Sequence, residues 1–354
     1  MAKAAVIGLD IGTTHVRAAE IQFGRPGAAG GQQATLVRHG QVPIPLGAVR
    51  DGEVEDAPVV AAALRRMWSE AKFSTRNVVI GVGNQRVVVR ELELPWMPLD
   101  QIRVSLPFQV QELIPMSTDE ALLDYFPTTE SQGPAGRLVQ GMLVAATRDT
   151  VNANVLAVES AGLRPQMVDL NAFALLRAQT RGELGQRTVA FVEIGARITQ
   201  VVIAAHGSPR FIRVLPSGGQ NVTDAVAAAL GISGMDAENV KREVGVGFGV
   251  APELSAAAEA INGVVRPLVE AVRNTFVYYA GNNPGAGIEL AVLTGGGAHL
   301  PGLGQYLAST SRLAVSFGDP LAGLKFGRSV LPEQLVPFAS LLAVPIGLAM
   351  GVAA

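Results

Sequence analysis

An α/β fold of two lobes is what this sequence predicts, and three observations predict it. Glycine-centred segments occur in order along the chain: Ile7-Gly8-Leu9-Asp10-Ile11-Gly12-Thr13-Thr14, then Val192-Glu193-Ile194-Gly195-Ala196-Arg197-Ile198-Thr199, then Leu293-Thr294-Gly295-Gly296-Gly297. The first two share one design, in which an apolar strand runs into a carboxylate, a glycine two residues later, nearby hydroxyls and a second apolar strand. At 354 residues the chain is too long for one ordinary core, so two or more subdomains are expected.

The elements follow from periodicity. Ala4 to Asp10 and Val16 to Ile21 read as a hairpin, Gly24 to Gln33 as a Gly-rich turn, and Thr35 to Val42 as a third strand. Asp56 to Ala71 has helical spacing, with Val59, Val60, Ala63, Leu64 and Met67 on one stripe. Asn77 to Val82 returns to strand. Gln85 to Leu94 reads as a strand, and Asp100 to Leu113 as a helix with Ile102, Leu106, Val110 and Leu113 inward. Asp124 to Thr128 and Leu138 to Ala146 read as strands, and Thr150 to Ala161 as a helix. After the second hairpin, Asn221 or Thr223 is placed to cap a helix from Asp224 to Leu230. Glu253 to Ala280 carries Ile261, Val264, Val265, Leu268, Val272 and Phe276 at helical spacing.

The end of the chain tests this soluble reading. Val336 to Ala354 contains no charge and is long enough to span a bilayer. Pro337 and Pro345 break such a span, so a buried closing helix of the first lobe is expected, with no direct membrane insertion. Met1 to Val6 leads straight into the first strand, which predicts no leader peptide. A net charge of −2 and no Lys/Arg run argue against nucleic acid as a partner. No cysteine is present, which removes disulfides and thiolate metal sites and fits a reducing compartment.

The two hairpins offer backbone N–H groups that can cradle phosphate oxygens. Gly12 permits close approach, Thr13 and Thr14 add hydroxyl donors, and Asp10 can hold the water shell of a magnesium ion. Gly295, Gly296 and Gly297 make a turn without side chains, suited to a flat adenine or ribose.

At these residues the chain resembles the actin, Hsp70 and sugar-kinase superfamily, in which two RNase H-like lobes close on ATP. The resemblance implies that Asp10 to Thr14 are the first phosphate loop, with Arg17 where a phosphate-reaching lysine often stands. It implies that Glu193, Gly195, Ala196, Arg197 and Thr199 form the second loop, with Gly218 opening the segment after it. Gly295 to Gly297 with Pro301-Gly302 match the adenosine motif, and Ala237-Glu238-Asn239-Val240-Lys241 resembles the A-E-x-x-K helix whose Glu238 and Lys241 flank ribose and adenine. Asp10 and Glu193 are the implied magnesium ligands, and Asp10, Asn171 and Glu193 the implied catalytic set. Glu270 and Arg273 resemble the E-x-x-R of a connecting helix.

Residues 85–162 form a β-α-β-β-α module that resembles the insertion in the first lobe of FtsA and PilM. The wording favours the PilM family: Glu91-Leu92-Glu93-Leu94-Pro95-Trp96-Met97, Glu112-Leu113-Ile114-Pro115-Met116, Leu123-Asp124-Tyr125, Val144-Ala145-Ala146-Thr147-Arg148 and Val168-Asp169-Leu170-Asn171-Ala172-Phe173. The expected architecture is thus a bilobed actin-like ATPase fold with an FtsA-like insertion in the first lobe. Its first lobe comprises residues 1–84, 163–185 and 333–354, its insertion 85–162, and its second lobe 186–217 and 289–332 with an insertion at 218–288. An FtsA relative is expected to carry a linker and a basic amphipathic helix after its core, and Ala354 closes this sequence without one.

The resemblance implies an ATP-binding adaptor at the inner face of the cytoplasmic membrane. Its module would hold the N-terminal tail of a PilN-like membrane protein, with indirect links to PilO and a cytoplasmic motor ATPase. Trp96, Met97, Leu106 and Phe108 are candidate lining residues whose simpler reading is core; a homo-oligomer stays open. Hydrolysis is expected to be slow at most. Glu193 stands where the loop usually has Asp, Asn171 where relatives have a longer side chain, and misplacement by about 1 Å can cost on the order of a hundredfold. Two other classes remain: a small-molecule kinase using Asp169 or Glu193 as base, and a structural module with a degenerate cleft.

Overall fold

The computed structural model describes residues 5–26, 32–134, 136–247 and 251–353. In the first lobe, β1 (Ala5–Ile11), β2 (His15–Pro26) and β3 (Gln32–Pro43) form an antiparallel meander. The strands run further than the sequence suggests, to Pro26 and again from Gln32, and the middle of the expected Gly24–Gln33 turn lies outside the described residues. A small hairpin, β4 (Val49–Arg50) and β5 (Glu53–Val54), precedes helix α1 (Ala57–Ala71). Asp56 is the cap rather than a helical residue: its Oδ1 accepts the Val59 N–H at 3.1 Å, satisfying a donor that the first turn leaves free. Val60, Ala63, Leu64 and Met67 are buried, and α1 delivers β6 (Asn77–Val82) parallel to β1.

The inserted module follows as β7 (Val88–Pro95), α2 (Leu99–Gln109), β8 (Ala121–Gly133), β9 (Gly136–Thr147) and α3 (Arg148–Ser160). Its strands lie in the order β7-β9-β8, and α2 covers one face over Ile102, Leu106, Val110, Tyr125 and Leu143. Leu113 is a correction. It is 36% exposed while Ile114, at 7%, enters the core, because the helix ends at Gln109 and the turn before Pro115 resets the spacing. Helix α3 packs on α1, and its Ala157 and Val158 join the core of the first lobe.

The chain then re-enters the first sheet as β10 (Arg164–Leu170), parallel to β6, and continues into α4 (Asn171–Gln179). The second lobe repeats the plan. An antiparallel meander of β11 (Thr188–Ile194), β12 (Thr199–Ala205) and β13 (Ser208–Leu215) comes first. Three helices follow: α5 (Gly219–Leu230), α6 (Gly234–Val244) and α7 (Ser255–Asn282). They lead to β14 (Leu290–Thr294), parallel to β11; then α8 (Leu303–Ser311) and β15 (Ala314–Phe317) close the sheet. Helix α5 begins five residues before the expected Asp224. Asn221 Oδ1 accepts the Gly218 N–H at 3.0 Å, and Thr223 is engaged elsewhere.

The chain crosses back to add β16 (Lys325–Phe326) beside β3, giving a first sheet ordered β10-β6-β1-β2-β3-β16. It ends with α9 (Pro332–Leu335), a 3-10 stretch Val336–Leu342 and α10 (Ala343–Met350). Pro332–Met350 is long and apolar enough to cross a membrane, with a mean hydropathy of 1.5, yet 56% of that window is buried in the fold. Helix α10 lies on β1, β2 and α4. A Cβ on Gly8 would fall 1.9 Å from the Pro345 carbonyl oxygen, so glycine is what lets helix and strand meet.

Candidate functional site: an interlobe cleft

Two hairpin turns of one geometry face each other across the cleft. Gly12 N–H donates to the His15 carbonyl at 3.0 Å, and Gly195 N–H to the Ile198 carbonyl at 2.9 Å. Register sets Asp10 opposite Arg17 on β2, and Glu193 opposite Gln200 on β12. Arg17 Nη1 lies 3.8 Å from Asp10 Oδ2, and its Nε donates to Gln41 Oε1 at 2.9 Å. Gln200 Nε2 donates to Glu193 Oε2 at 3.3 Å.

Burial raises the Asp10 carboxyl above its usual range, with the Arg17 charge opposing. Burial also pushes Glu193 up to about 7, helped by the Asp10 charge and opposed by Arg17 and by the Gln200 hydrogen bond. Glu193 thus responds to both charged residues of the other lobe. His15 is pushed down to about 4 by burial and by Arg17, so it is neutral at pH 7; its Nδ1 lies 3.1 Å from Thr14 Oγ1.

Thr13 and Arg197 line one cavity of about 290 Å³ with Arg50, Asp51 and Asn221, so the two loops share a mouth. Arg197 pairs with Asp224 at 2.5 Å. Thr199 is fully buried and donates to the Ser217 carbonyl at 2.7 Å, so its hydroxyl fastens the loop from behind. The loop is also laced to the start of α5, where the Gly219 and Gln220 N–H groups donate to the Gly195 and Ala196 carbonyls at 2.9 and 2.7 Å.

A second cavity of about 380 Å³ continues from these turns, lined by Gly218, Gly219, Glu238, Lys241, Gly296 and Gly297 among others. Gly218, Gly219, Gly296 and Gly297 give it a stretch of bare backbone beside the side chains of Ile194, Val265, Leu268 and Leu300. A Cβ on Gly219 would sit 3.3 Å from Gly297 Cα, one on Gly297 would sit 2.5 Å from Ile194 Cγ2, and Gly295 holds φ +82°. Lys241 Nζ donates to Glu238 Oε2 at 2.5 Å, Thr223 Oγ1 at 2.9 Å and the Gly219 carbonyl at 3.2 Å. Burial alone would raise Glu238, but hydrogen bonds from Lys241 and Thr223, and the Lys241 charge, carry it below its usual range. The A-E-x-x-K helix therefore ties α6 to the floor while its carboxylate borders the cavity. Glu270 and Arg273 are exposed on α7.

Two contributions escaped the sequence. Pro337, Phe338 and Leu341 from the 3-10 stretch before α10 line the larger cavity. Ser340 anchors them, its carbonyl accepting from Thr294 Oγ1 at 3.0 Å and its hydroxyl lying 2.7 Å from His299 Nε2. No local pattern marks a serine so far along the chain from the Thr294 and His299 it touches. Gln200 is the other; counting cross-strand register from the hairpin turn would have found it. Asn171 starts α4 with its Oδ1 buried and without a hydrogen-bond partner. A Cβ on Gly83 would lie 3.0 Å from Asn171 Nδ2 and 3.1 Å from Gln200 Nε2, so these amides approach one spot from opposite lobes.

The donor set suits a nucleotide better than a protein-held metal. Among the described residues no cluster of three or more His, Asp or Glu side chains is placed to hold an ion. Asp10 and Glu193 are the carboxylates that would hold a magnesium ion if one accompanied a nucleotide.

Two sheets of one plan, each sending a carboxylate hairpin into a shared cleft, define an actin-like ATPase fold. The particular family is also shown: the profile of type IV pilus assembly protein PilM matches residues 8–352, and the chain belongs to that family. Among solved structures the chain is similar to that of a PilM-PilN type IV pilus biogenesis complex, with 26% identity, a TM-score of 0.84 and 99% of both chains covered. MreB5 of Spiroplasma citri, solved with ADP, shares the fold at 13% identity and a TM-score of 0.56, covering 99% of this chain and 98% of its own. Cell division protein FtsA of Bacillus subtilis is 20% identical over 263 residues, 68% of this chain; the match spans 58% of FtsA.

Proposed function

We propose that this chain is an ATP-binding adaptor of type IV pilus assembly that holds the N-terminal cytoplasmic tail of a PilN-like membrane protein. The observation that carries the reading is the similarity, along 99% of both chains, to the protein of the PilM-PilN complex. Held by that tail, the chain works at the inner face of the cytoplasmic membrane and connects the PilN and PilO layer to the cytoplasmic motor ATPase.

The module supplies a suitable surface for the tail. Strand β8 is at the edge of its sheet and pairs with β9 on one side only. On the face away from α2, Phe126 is 44% exposed and its ring lies 5.0 Å from that of Phe173 on α4, with Leu122 also partly exposed. Asp124 and Asp169 stand close enough for the first to raise the pKa of the second. An extended tail can add to the β8 edge, seating apolar side chains against Phe126 and Phe173, while Asp124 and Asp169 beside them are paired with Arg103 and Arg177. Of the earlier candidates, Leu106 is core, Met97 packs on that core, Trp96 carries Arg137 over its ring, and Phe108 is exposed on the opposite face.

In the cleft, the glycine floor takes the adenosine and the two turns take the phosphates. A magnesium ion, when bound, supplies neutralising charge at the terminal phosphates. We expect at most slow hydrolysis, because Asn171 lies against Gly81 and Gly83 and the Glu193 carboxyl is half protonated near pH 7. Calorimetric titration with a synthetic tail peptide, with and without ATP, tests the adaptor reading. Saturable binding by the wild type, lost in Phe126→Asp, is the expected result; no binding in either state removes the reading.

A further inference from the structure

We propose that Glu53 is a positioning residue that couples the cleft to the inserted module, so that bound ATP tightens the module's hold on the tail. The proposal rests on the adaptor reading and adds the regulation of its two sites.

The module is joined to the first lobe by two crossings of the chain, and one carboxylate oxygen grips both. Residues 83–87 lead from β6 to β7, and residues 147–150 turn from β9 into α3. On the outgoing crossing, Glu53 Oε1 accepts from Asn84 Nδ2 at 3.1 Å and from Arg86 Nε at 3.1 Å. On the return it accepts from Thr150 Oγ1 at 3.0 Å. Each crossing is also fixed upon itself: Asn84 Oδ1 accepts the Arg86 N–H at 3.0 Å, and Thr147 Oγ1 lies 2.8 Å from Thr150 Oγ1. Asn84 and Thr150 are buried, and buried donors on a carboxylate are costly to release.

The hairpin that carries Glu53 has its other side in the cleft. Arg50 and Asp51 line the mouth with Thr13 and Arg197. Gly52, at φ +82°, wedges the tip between the lobes, since a Cβ there would fall 2.9 Å from Asn84 Cβ and 2.9 Å from Ile198 Cδ1. Ile198 belongs to the second carboxylate turn, where its carbonyl receives the Gly195 N–H. The segment entering the hairpin is tied to the first turn, with the Ile44 N–H donating to the Thr14 carbonyl at 2.9 Å. The β4–β5 hairpin therefore touches both turns and both crossings.

A nucleotide that draws the two turns together fixes this hairpin between them, and Glu53 then holds the two crossings at one spacing. That spacing sets how the module leaves the lobe. Phe126 belongs to the module and Phe173 to α4 of the lobe, so the same spacing sets the groove between their rings. Coupling of this kind is reciprocal, and the tail tightens ATP by the factor by which ATP tightens the tail.

The test is calorimetric titration of the full chain with the synthetic tail peptide, in saturating magnesium-ATP and without nucleotide. Wild type is expected to bind the tail about fivefold or more tighter with ATP. Glu53→Ala should bring the two affinities within about twofold, and should bind ATP alone within about threefold of wild type, because Glu53 lines neither cavity. Glu53→Gln, which keeps an acceptor at the crossings, should retain part of the ratio, a rescue that general loosening of the fold would not show. Thr150→Val cuts the return crossing alone and carries the test if the alanine variant does not fold. Arg210→Ala should keep the full ratio, although Arg210 Nη2 donates to Thr129 Oγ1 of the module at 3.4 Å. Wild-type affinities within about twofold, or weaker binding with ATP, overturn the proposal and leave the adaptor reading intact. A wild-type ratio in Glu53→Ala or Thr150→Val, or loss of the ratio in Arg210→Ala, also overturns it. Failure of the wild type to bind the peptide in either state removes the adaptor reading and the proposal together.

Discussion

The two carboxylate hairpins share a backbone and differ in what stands across the strand. In both, a glycine N–H closes the turn and a carboxylate points inward two residues earlier. Asp10 faces a cation, Arg17, and Glu193 faces an amide, Gln200. Both carboxyls are buried, yet the cation opposes the rise at Asp10 while Glu193 climbs to about 7. Arg17 opposes the rise at Glu193 as well, so what distinguishes Glu193 is the neighbouring Asp10 charge, which raises it, and the Gln200 hydrogen bond, which lowers it, rather than the lack of a cation.

The largest expected break in this comparison is Asp10→Ala. It leaves Arg17 without its carboxylate in a largely buried position, and a loss of about 3 kcal/mol of stability is expected by denaturant unfolding. An unchanged midpoint would mean that the ion pair at Asp10 contributes nothing to stability.

Glu193→Gln acts in the other direction. The folded carboxyl keeps its proton up to about pH 7, whereas the unfolded one releases it near the ordinary glutamate value of 4.5. The unfolded state therefore binds fewer protons across that window, and stability falls as pH rises through it. In metal-free buffer the variant should be more stable than wild type by about 2 kcal/mol at pH 8 and show a flatter profile between pH 5 and 8. Equal slopes would place the Glu193 titration outside that range. Gln200→Arg sharpens the contrast by giving the second hairpin the first one's cation; carbon NMR of the labelled carboxyl should then show the Glu193 midpoint moved down, and a midpoint still near 7 would make burial alone responsible.

The smallest effect belongs to Thr199→Val. It removes the bond to the Ser217 carbonyl at nearly constant volume, with a cost of about 1 kcal/mol. ATP affinity should stay within about twofold, since the hydroxyl already has its acceptor; a tenfold loss would put Thr199 in contact with phosphate.

Much of the fold was legible because local physics enforces it. Helix α1 announced itself through a single apolar stripe, although Asp56 is its cap rather than its first residue, and Asn77–Val82 through its β-branched run. The two carboxylate turns were legible because a tight turn needs a glycine two residues after the acid it presents. The register of Leu113 and Ile114 failed because Pro115 ends helical spacing earlier than periodicity shows. The first residue of α5 failed because its cap is Asn221 reaching backward rather than a side chain ahead of the helix.

The sequence by itself determined one meander, a second hairpin, two carboxylate turns and a glycine turn, because each depends on residues within a few positions of one another; the third strand of the second lobe, Ser208–Leu215, it did not show. Only the tertiary structure decided what those residues do. It set Arg17 between Asp10 and Glu193 of opposite lobes, brought Gln200 to Asn171 beside Gly83, and laid Ser340 against Thr294 and His299. The physical reason is that protonation and ligand contact depend on distance in space across the closing of two lobes, and local spacing along the chain carries no record of it.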